Sequence, residues 1–220
     1  MLSVGLTGNI ASGKSLVAAQ LEKLGAVIID ADQLGHRLIG PGGAAVQAVL
    51  NAFGAGVAGT DQGIDRSRLG PIVFADPAAR ARLDGIVHPM LTSAIRSQLA
   101  GLAAGDARDG NDVASHVPLI AVVDAALIFE LGMAEEFDRV VVVTTSDANR
   151  EARLAGRGLS VSEARKRMAS QWPEAEKVRR ADHVISNDGT PAELSDRVVL
   201  LWNTLTQAAA LPSQRKEHPG

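Results

Sequence analysis

Gly8-Asn9-Ile10-Ala11-Ser12-Gly13-Lys14-Ser15 matches the pattern G-x-x-x-x-G-K-[ST], and its flanks are those the pattern needs. Leu2 to Thr7 reads as a short buried strand. Lys14 to Leu24 carries Leu16, Val17, Leu21 and Leu24 at helical spacing, with Gly25 placed to end the helix. In such a turn the glycines let successive backbone N–H groups face inward around a phosphate, and the following helix points its positive end at the same place. Lys14 supplies a point charge for the β- and γ-phosphates, and the Ser15 hydroxyl is a ligand for Mg²⁺. A nucleoside triphosphate with Mg²⁺ is the inference.

Working outward, Ala26 to Ile29 reads as a second buried strand ending at Asp30. Strand, helix and strand in so short a stretch make a βαβ unit, hence a parallel sheet covered on both faces. Further buried strands are expected near Leu119 to Val123, Val140 to Thr144 and His183 to Ser186, and a last helix from Pro191 to about Leu211. The long interval between strands two and three reads as helices at Ala44 to Phe53, Leu69 to Phe74, Pro77 to Val87 and Pro89 to Ala104. Loops at Gly54–Gly63 and Gly105–Asn111 are expected to break them. Residues 1–211 are expected to form one domain, with core at 1–35, 112–149 and 181–211, and 212–220 to be a flexible tail.

Composition narrows the function. Cysteine is absent, which excludes a disulfide scaffold, thiolate metal sites and a cysteine nucleophile. Tyrosine is absent too, and four Phe with two Trp make a poor stacking platform for single-stranded nucleic acid. A net charge of −3 gives no general basic field for DNA, so no nucleic-acid partner is expected. No stretch is long and apolar enough for a membrane span, and MLSVGLTG lacks a basic n-region and an apolar h-region, so a cytoplasmic location is expected. The charge is uneven. Between Arg150 and Arg180 lie seven Arg and two Lys against four Glu, a local net of +5 on an otherwise acidic chain. That suggests a local anion site; the alternative is a pair of solvated helices with intrahelical ion pairs.

No lysine sits in an N-K-x-D stretch, which argues against a regulatory GTPase. Chain length, helical insertion and basic segment instead suggest a small-molecule kinase. Asp30 and Asp32 follow strand two at the carboxyl end of the sheet, where a kinase needs a carboxylate to orient or deprotonate its acceptor. Alternation in an extended stretch would put both on one side. Either could serve, or one could serve while the other holds a loop; each could also be a helix N-cap or a strand-end Asp, and Asp32 is favoured for function. Two roles are open to Asp124: holding Mg²⁺ through water, or ending a strand and capping a turn.

At these residues the chain resembles the dephospho-coenzyme A kinase family. The resemblance rests on Leu6-Thr7-Gly8 leading into the phosphate turn, Asp30-Ala31-Asp32 with His36 and Leu38, and Gly63-Ile64-Asp65-Arg66 with Leu69. It continues through Ile86-Val87-His88-Pro89, Leu127-Ile128-Phe129-Glu130, then Arg150, Arg153, Arg157 and Gln171, Ala181-Asp182 and Asn187-Asp188-Gly189. Departures are Asn9 for a second glycine, Leu16 for Thr, Ala126 for Pro and Arg150 for Gln.

The resemblance implies a P-loop kinase fold: α/β, with a five-stranded parallel sheet, flanking helices, a helical acceptor-binding region at 36–111 and a helical lid at 150–180. It implies transfer of the ATP γ-phosphoryl group to the ribose 3′-hydroxyl of dephospho-coenzyme A. Gly8, Ala11, Ser12, Gly13, Lys14, Ser15 and Leu16 would bind ATP. Lys14, Asp32 and Arg153 would be catalytic, and Ser15 with Asp124 would hold Mg²⁺. Asp32, Arg66 and His88 would meet the acceptor. Arg66 is open to the acceptor's pyrophosphate or to an ion pair with a neighbouring Asp, and His88 to capping a helix begun by Pro89 or touching acceptor. Glu130 is similarly divided between structure and function. Rival readings are another small-molecule kinase on the same fold, or a nucleotide-binding module without transfer.

Overall fold

Leu2-Ser3-Val4-Gly5-Leu6-Thr7-Gly8 forms the central strand β1 (Leu2–Gly8), buried along its whole length. The structure is a computed structural model that describes residues 1–109, 118–156, 158, 160, 162–163, 165, 168 and 171–210. Beside β1 lie β2 (Val27–Asp30), β3 (Ile120–Asp124), β4 (Arg139–Thr144) and β5 (His183–Ser186), in the order β2-β3-β1-β4-β5. The sheet is parallel, with β1 in register with β3 from Leu2↔Ile120 to Leu6↔Asp124 and with β4 from Val4↔Arg139 to Gly8↔Val143. All five expected strands are present to within one residue at each end. Their Val- and Ile-rich runs are those of strands covered on both faces.

Period-two alternation divides β1. Leu2, Val4 and Leu6 join one core with Val17 and Leu21 of α1 (Lys14–Lys23) and Val198, Leu201 and Leu205 of α8 (Pro191–Ala210). Ser3, Gly5 and Thr7 meet the opposite layer. Ser3 donates from both its backbone N–H and its hydroxyl to Asp138, at 2.8 and 2.7 Å. Gly5 lies under Phe137 and Ile128, which are themselves buried. The remaining helices of this part are α6 (Asp147–Ala155) and α7 (Glu174–Arg180). Among the described residues, no helix is long and apolar enough to cross a membrane.

The chain forms two compact units, Met1–Ile29 with the described residues from Leu99 onward, and Asp30–Gln98. The second unit has its own core, in which Ala45, Val49, Val57, Ile64 and Leu69 are buried. It contains α2 (Ala31–Ile39), α3 (Val46–Phe53), α4 (Arg66–Ala75) and the first part of α5 (Pro77–Asp109).

Four local expectations change. Helix α2 starts directly after β2, so Asp30 and Asp32 are not on an extended stretch: Asp30 caps the helix and Asp32 lies in its first turn. The expected Leu69–Phe74 helix begins earlier, because Asp65 accepts hydrogen bonds from the N–H groups of Ser67 and Arg68 as its cap. The helices expected at Pro77–Val87 and Pro89–Ala104 are one. Pro89 removes one N–H from the ladder, and both Gly85 and Pro89 are exposed, so solvent can satisfy the orphaned Gly85 carbonyl. The same helix runs through Gly105, where a loop was expected; residues 110–111 of that loop and the 212–220 tail lie outside the described residues.

A Cβ on Gly5 would stand 2.8 Å from Phe137 Cδ2 and 2.9 Å from Ile128 Cδ1. Both side chains are buried, so each must repack to make room. Gly5→Ala is therefore expected to cost about 1–3 kcal/mol, the range for overpacking a core. Chemical denaturation checks this, and an unchanged midpoint would show that the layer over β1 yields freely.

Candidate active site

The connection leaving β1 runs toward β2 and the one leaving β4 runs toward β5. Their carboxyl ends therefore bound a crevice at the point where the strand order reverses. The phosphate turn follows β1 there. Gly13 has φ 95° and Ala11 has φ 61°, left-handed conformations that fold the turn back on itself. For Ala11 this is a strained position of the kind found at functional turns. A Cβ on Gly8 would fall 2.5 Å from the Val143 carbonyl oxygen and 2.7 Å from Ser12 Oγ, so β4 itself demands the first glycine. Helix α1 has no side-chain cap and no acidic residue in its first turn. Its leading N–H groups are thus left for an anion.

The outer side of the turn is braced. Arg153, from α6, donates through Nη1 to the carbonyls of Ala11 and Ser12 at 3.0 and 3.1 Å, and through Nη2 to the carbonyl of Asn187 at 2.9 Å. Asn187, just past β5 and buried, donates from Nδ2 to the Ser12 carbonyl at 2.7 Å. On the inner side, the Lys14 ammonium contacts Asp124 Oδ1, with side chains 11% and 10% exposed. Asp124 ends β3 beside Leu6, which is why a residue so far along the chain meets Lys14. Ser12 Oγ is buried without a hydrogen-bond partner among the described residues. Ser15 and Leu16, in the first turn of α1, are exposed.

Asp188 fastens the loop behind Arg153. Its carboxylate accepts from the Ser146 N–H at 2.6 Å, from Asn149 Nδ2 at 3.1 Å and from the Ser186 hydroxyl at 3.0 Å. These donors, the Ser146 N–H first among them, hold its carboxyl well below the usual carboxylate range. Arg150 also has a structural task. It is buried and bridges Asp147 at 3.0 Å and Glu174 at the start of α7, so both ends of the arginine-rich segment meet at its base. Burial pushes the Glu174 carboxyl up, against the pull of Arg150. Burial likewise pushes the His183 imidazole down.

Lys14, Ser15, Asp124 and Arg153 thus come together in one unit with the rest of the turn. Asp32, Arg66 and His88 belong to the other. Asp30 accepts from the Gln33 N–H and Nε2, both at 2.9 Å, whereas the Asp32 carboxylate is exposed and engaged by no other described residue. Arg66 is exposed at the start of α4, and no described carboxylate pairs with it; Asp65 pairs with Arg68 instead, at 3.1 Å. His88 does not start a helix. It lies inside α5, with Nε2 3.5 Å from Asp84 Oδ1 one turn earlier. Arg157 and Arg167 lie outside the described residues, and Arg165 pairs with Glu151 at 2.8 Å.

The family model for dephospho-CoA kinase matches residues 2–193. The chain belongs to the dephospho-CoA kinase family. A dephospho-CoA kinase of Geobacter sulfurreducens is 44% identical over 90% of this chain and 96% of its own. Among solved structures, a protein of Thermus thermophilus shares 29% identity at a TM-score of 0.74, covering 92% of this chain and 96% of that one. A dephospho-CoA kinase from Campylobacter jejuni shares 26% at 0.69, covering 93% and 97%. The fold is that of a P-loop kinase, as the sequence led us to expect.

Several residues of this site carry no motif. Asn187 has the family's pattern around it but no role legible from spacing. Glu130 and Lys177 form an ion pair of 2.9 Å in which the lysine is fully buried. Lys177 sits in Glu-Ala-Glu-Lys-Val-Arg-Arg, which reads as a solvated helix and offers no signal of burial.

Asp188 generates a pH expectation. A carboxyl depressed in the native state adds stability above its unfolded pKa of about 3.9, and that stability is lost as pH falls through the native value. Melting temperatures of wild type and Asp188→Ala should differ at neutral pH and converge on acidification below about pH 4. A constant difference down to the lowest measurable pH would remove Asp188 from this role.

Proposed function

We propose that this chain transfers the γ-phosphoryl group of ATP to the ribose 3′-hydroxyl of dephospho-coenzyme A, giving coenzyme A and ADP in the last step of coenzyme A biosynthesis. The observation that carries the reading is the family match over residues 2–193, joined to a complete phosphate turn with Lys14 aimed by Asp124. A cytoplasmic location accords with these water-soluble substrates.

The roles of individual residues are our assignment. Gly8, Ala11, Ser12, Gly13, Lys14, Ser15 and Leu16 bind ATP, and Lys14 balances charge on the β- and γ-phosphates. The acceptor oxygen attacks the γ-phosphorus while the bond to the β-bridging oxygen breaks, and the hydroxyl proton passes to Asp32. Asp32 is chosen over Asp30 because Asp30 is occupied as the cap of α2. Arg153 keeps the Ala11 and Ser12 carbonyls turned from the phosphates and stands close enough to stabilise transferring charge. Arg66, with no carboxylate partner among the described residues, is assigned to the acceptor's phosphates, and His88 to the acceptor side.

Mg²⁺ fits the donor set. Ser15 and Asp124 offer only oxygens, and no cluster of three acidic, His or Cys residues stands among the described residues. Mg²⁺ needs no such cluster, since it usually keeps several waters and takes one or two protein oxygens with substrate phosphates. When bound it would neutralise charge on the ATP phosphates.

Mass-spectrometric detection of coenzyme A from ATP and dephospho-coenzyme A tests the function, with adenosine as a competing acceptor. Lys14→Ala is expected to fold normally and lose about 10²-fold or more in rate. Near-normal turnover would defeat the phosphate-turn assignment. Asp32→Asn should keep ATP binding, read by calorimetry, while transfer falls by roughly 10²–10⁴-fold. Activity lost in Asp30→Asn but kept in Asp32→Asn would reverse the choice of carboxylate.

A further inference from the structure

Lys177 is 0% exposed, the most deeply buried charged side chain in the described structure. A lysine so buried needs partners for its ammonium, and it has two. It donates to Glu130 Oε1 at 2.9 Å and to the Ala126 carbonyl at 3.0 Å. Both belong to the loop that follows β3. The Ala126 carbonyl also accepts from the Thr7 hydroxyl at 3.1 Å, one residue before the phosphate turn begins. Lys177 thus ties α7 to the loop behind Asp124 and, through one shared carbonyl, to the end of β1.

The same Glu130 oxygen accepts from the backbone N–H of Trp172 at 3.4 Å. Trp172 and Gln171 are where the arginine-rich segment returns to the core. Both also contact the phosphate turn: Asn9 Nδ2 donates to the Trp172 carbonyl at 3.2 Å, and the Ile10 N–H donates to Gln171 Oε1 at 2.6 Å. The indole of Trp172 stacks on Phe129 at 6.2 Å between centroids and 12° between planes. The Arg180 guanidinium lies 5.1 Å from the Trp172 ring. The segment therefore grips the turn at both of its ends, by Arg153 at its entry and by Gln171-Trp172 at its exit.

We propose that Lys177 and Glu130 are positioning residues that latch the Gln171-Trp172 exit of the arginine-rich segment onto the phosphate turn. The proposal rests on the kinase reading above. Neither residue touches the reacting atoms; they act by fixing where the exit meets Asn9 and Ile10. Burial of a charge pair is a poor way to gain stability, because an apolar pair of similar volume does as well or better. What such an apolar pair cannot supply is an acceptor for the Trp172 N–H. This separates a latch from a merely structural pair.

The test uses Lys177→Met/Glu130→Leu, which removes both charges together, and Gln171→Ala, which cuts the exit contact from the other side. Both are expected to lower kcat about tenfold or more while leaving the KM for dephospho-coenzyme A unchanged, since displacement of a positioning contact by an ångström costs up to about 10²-fold. Combined, they should cost little more than either alone, as changes within one network do. In a Trp202→Phe background, where Trp172 is the single tryptophan, emission from the Lys177→Met/Glu130→Leu variant should shift to the red as the ring leaves Phe129. Wild-type kcat in this folded variant, or fully multiplicative losses on combination, would overturn the latch. If the double-charge variant does not fold, Gln171→Ala decides alone: a wild-type kcat there overturns it. Failure of the wild-type enzyme to make coenzyme A would instead sink the kinase reading, while the red shift would still report whether Lys177 and Glu130 hold Trp172.

Discussion

The carbonyl oxygens of Ala11 and Ser12 are turned outward and held there by the Arg153 guanidinium and the Asn187 amide. Everything the site does depends on this. A tight turn carries as many acceptors as donors, and a phosphate is attracted only if the donors are the groups that face it. The bracing groups come from α6, the helix after β4, and from the residue just past β5, so the anion site is shared work between neighbouring elements rather than a property of eight residues. Glycine is needed at Gly13 for a further reason. A Cβ there would strike the Asn187 amide, so the brace can approach only a residue without a side chain.

That division explains what the sequence could and could not disclose. The turn, its strand and its helix were legible because each position constrains residue type directly. Buried parallel strands were legible because they are short, nearly all aliphatic and bounded by breakers. Helix α2 was harder to read, because an Asp that ends a strand and an Asp that caps a helix look alike in sequence: Asp30 accepts from both the backbone N–H and the side-chain amide of Gln33, and so caps α2. Pro89 misled because a proline usually ends a helix, and only its exposure on the outer side of α5 makes it tolerable there. Ser160 and Glu163 exchange hydrogen bonds as a capping box, the Ser160 hydroxyl donating to the Glu163 carboxylate and accepting from the Glu163 N–H.

Lys177 and Arg150 were opaque for a different reason. Their burial is decided by partners distant in sequence, Glu130 for one and Glu174 for the other, and neither leaves a periodic trace. The basic charge of the 150–180 segment looked like a single electrostatic field. Resolved residue by residue, it has several tasks: Arg153 braces a turn, Arg150 closes a base, Lys177 anchors an exit and Arg165 pairs on the surface with Glu151. Net charge pointed to the right part of the chain and said nothing of this division.

Helix α5 carries one more consequence. It begins in the Asp30–Gln98 unit and ends in the other, with the division falling between Gln98 and Leu99 inside continuous helix. A helix propagates cooperatively and is costly to interrupt and renucleate. Melting of one unit therefore either stops inside a regular hydrogen-bonded ladder or continues along it. The second route needs no new helix end, so the ladder within α5 favours melting that runs on past Gln98 over melting that halts there.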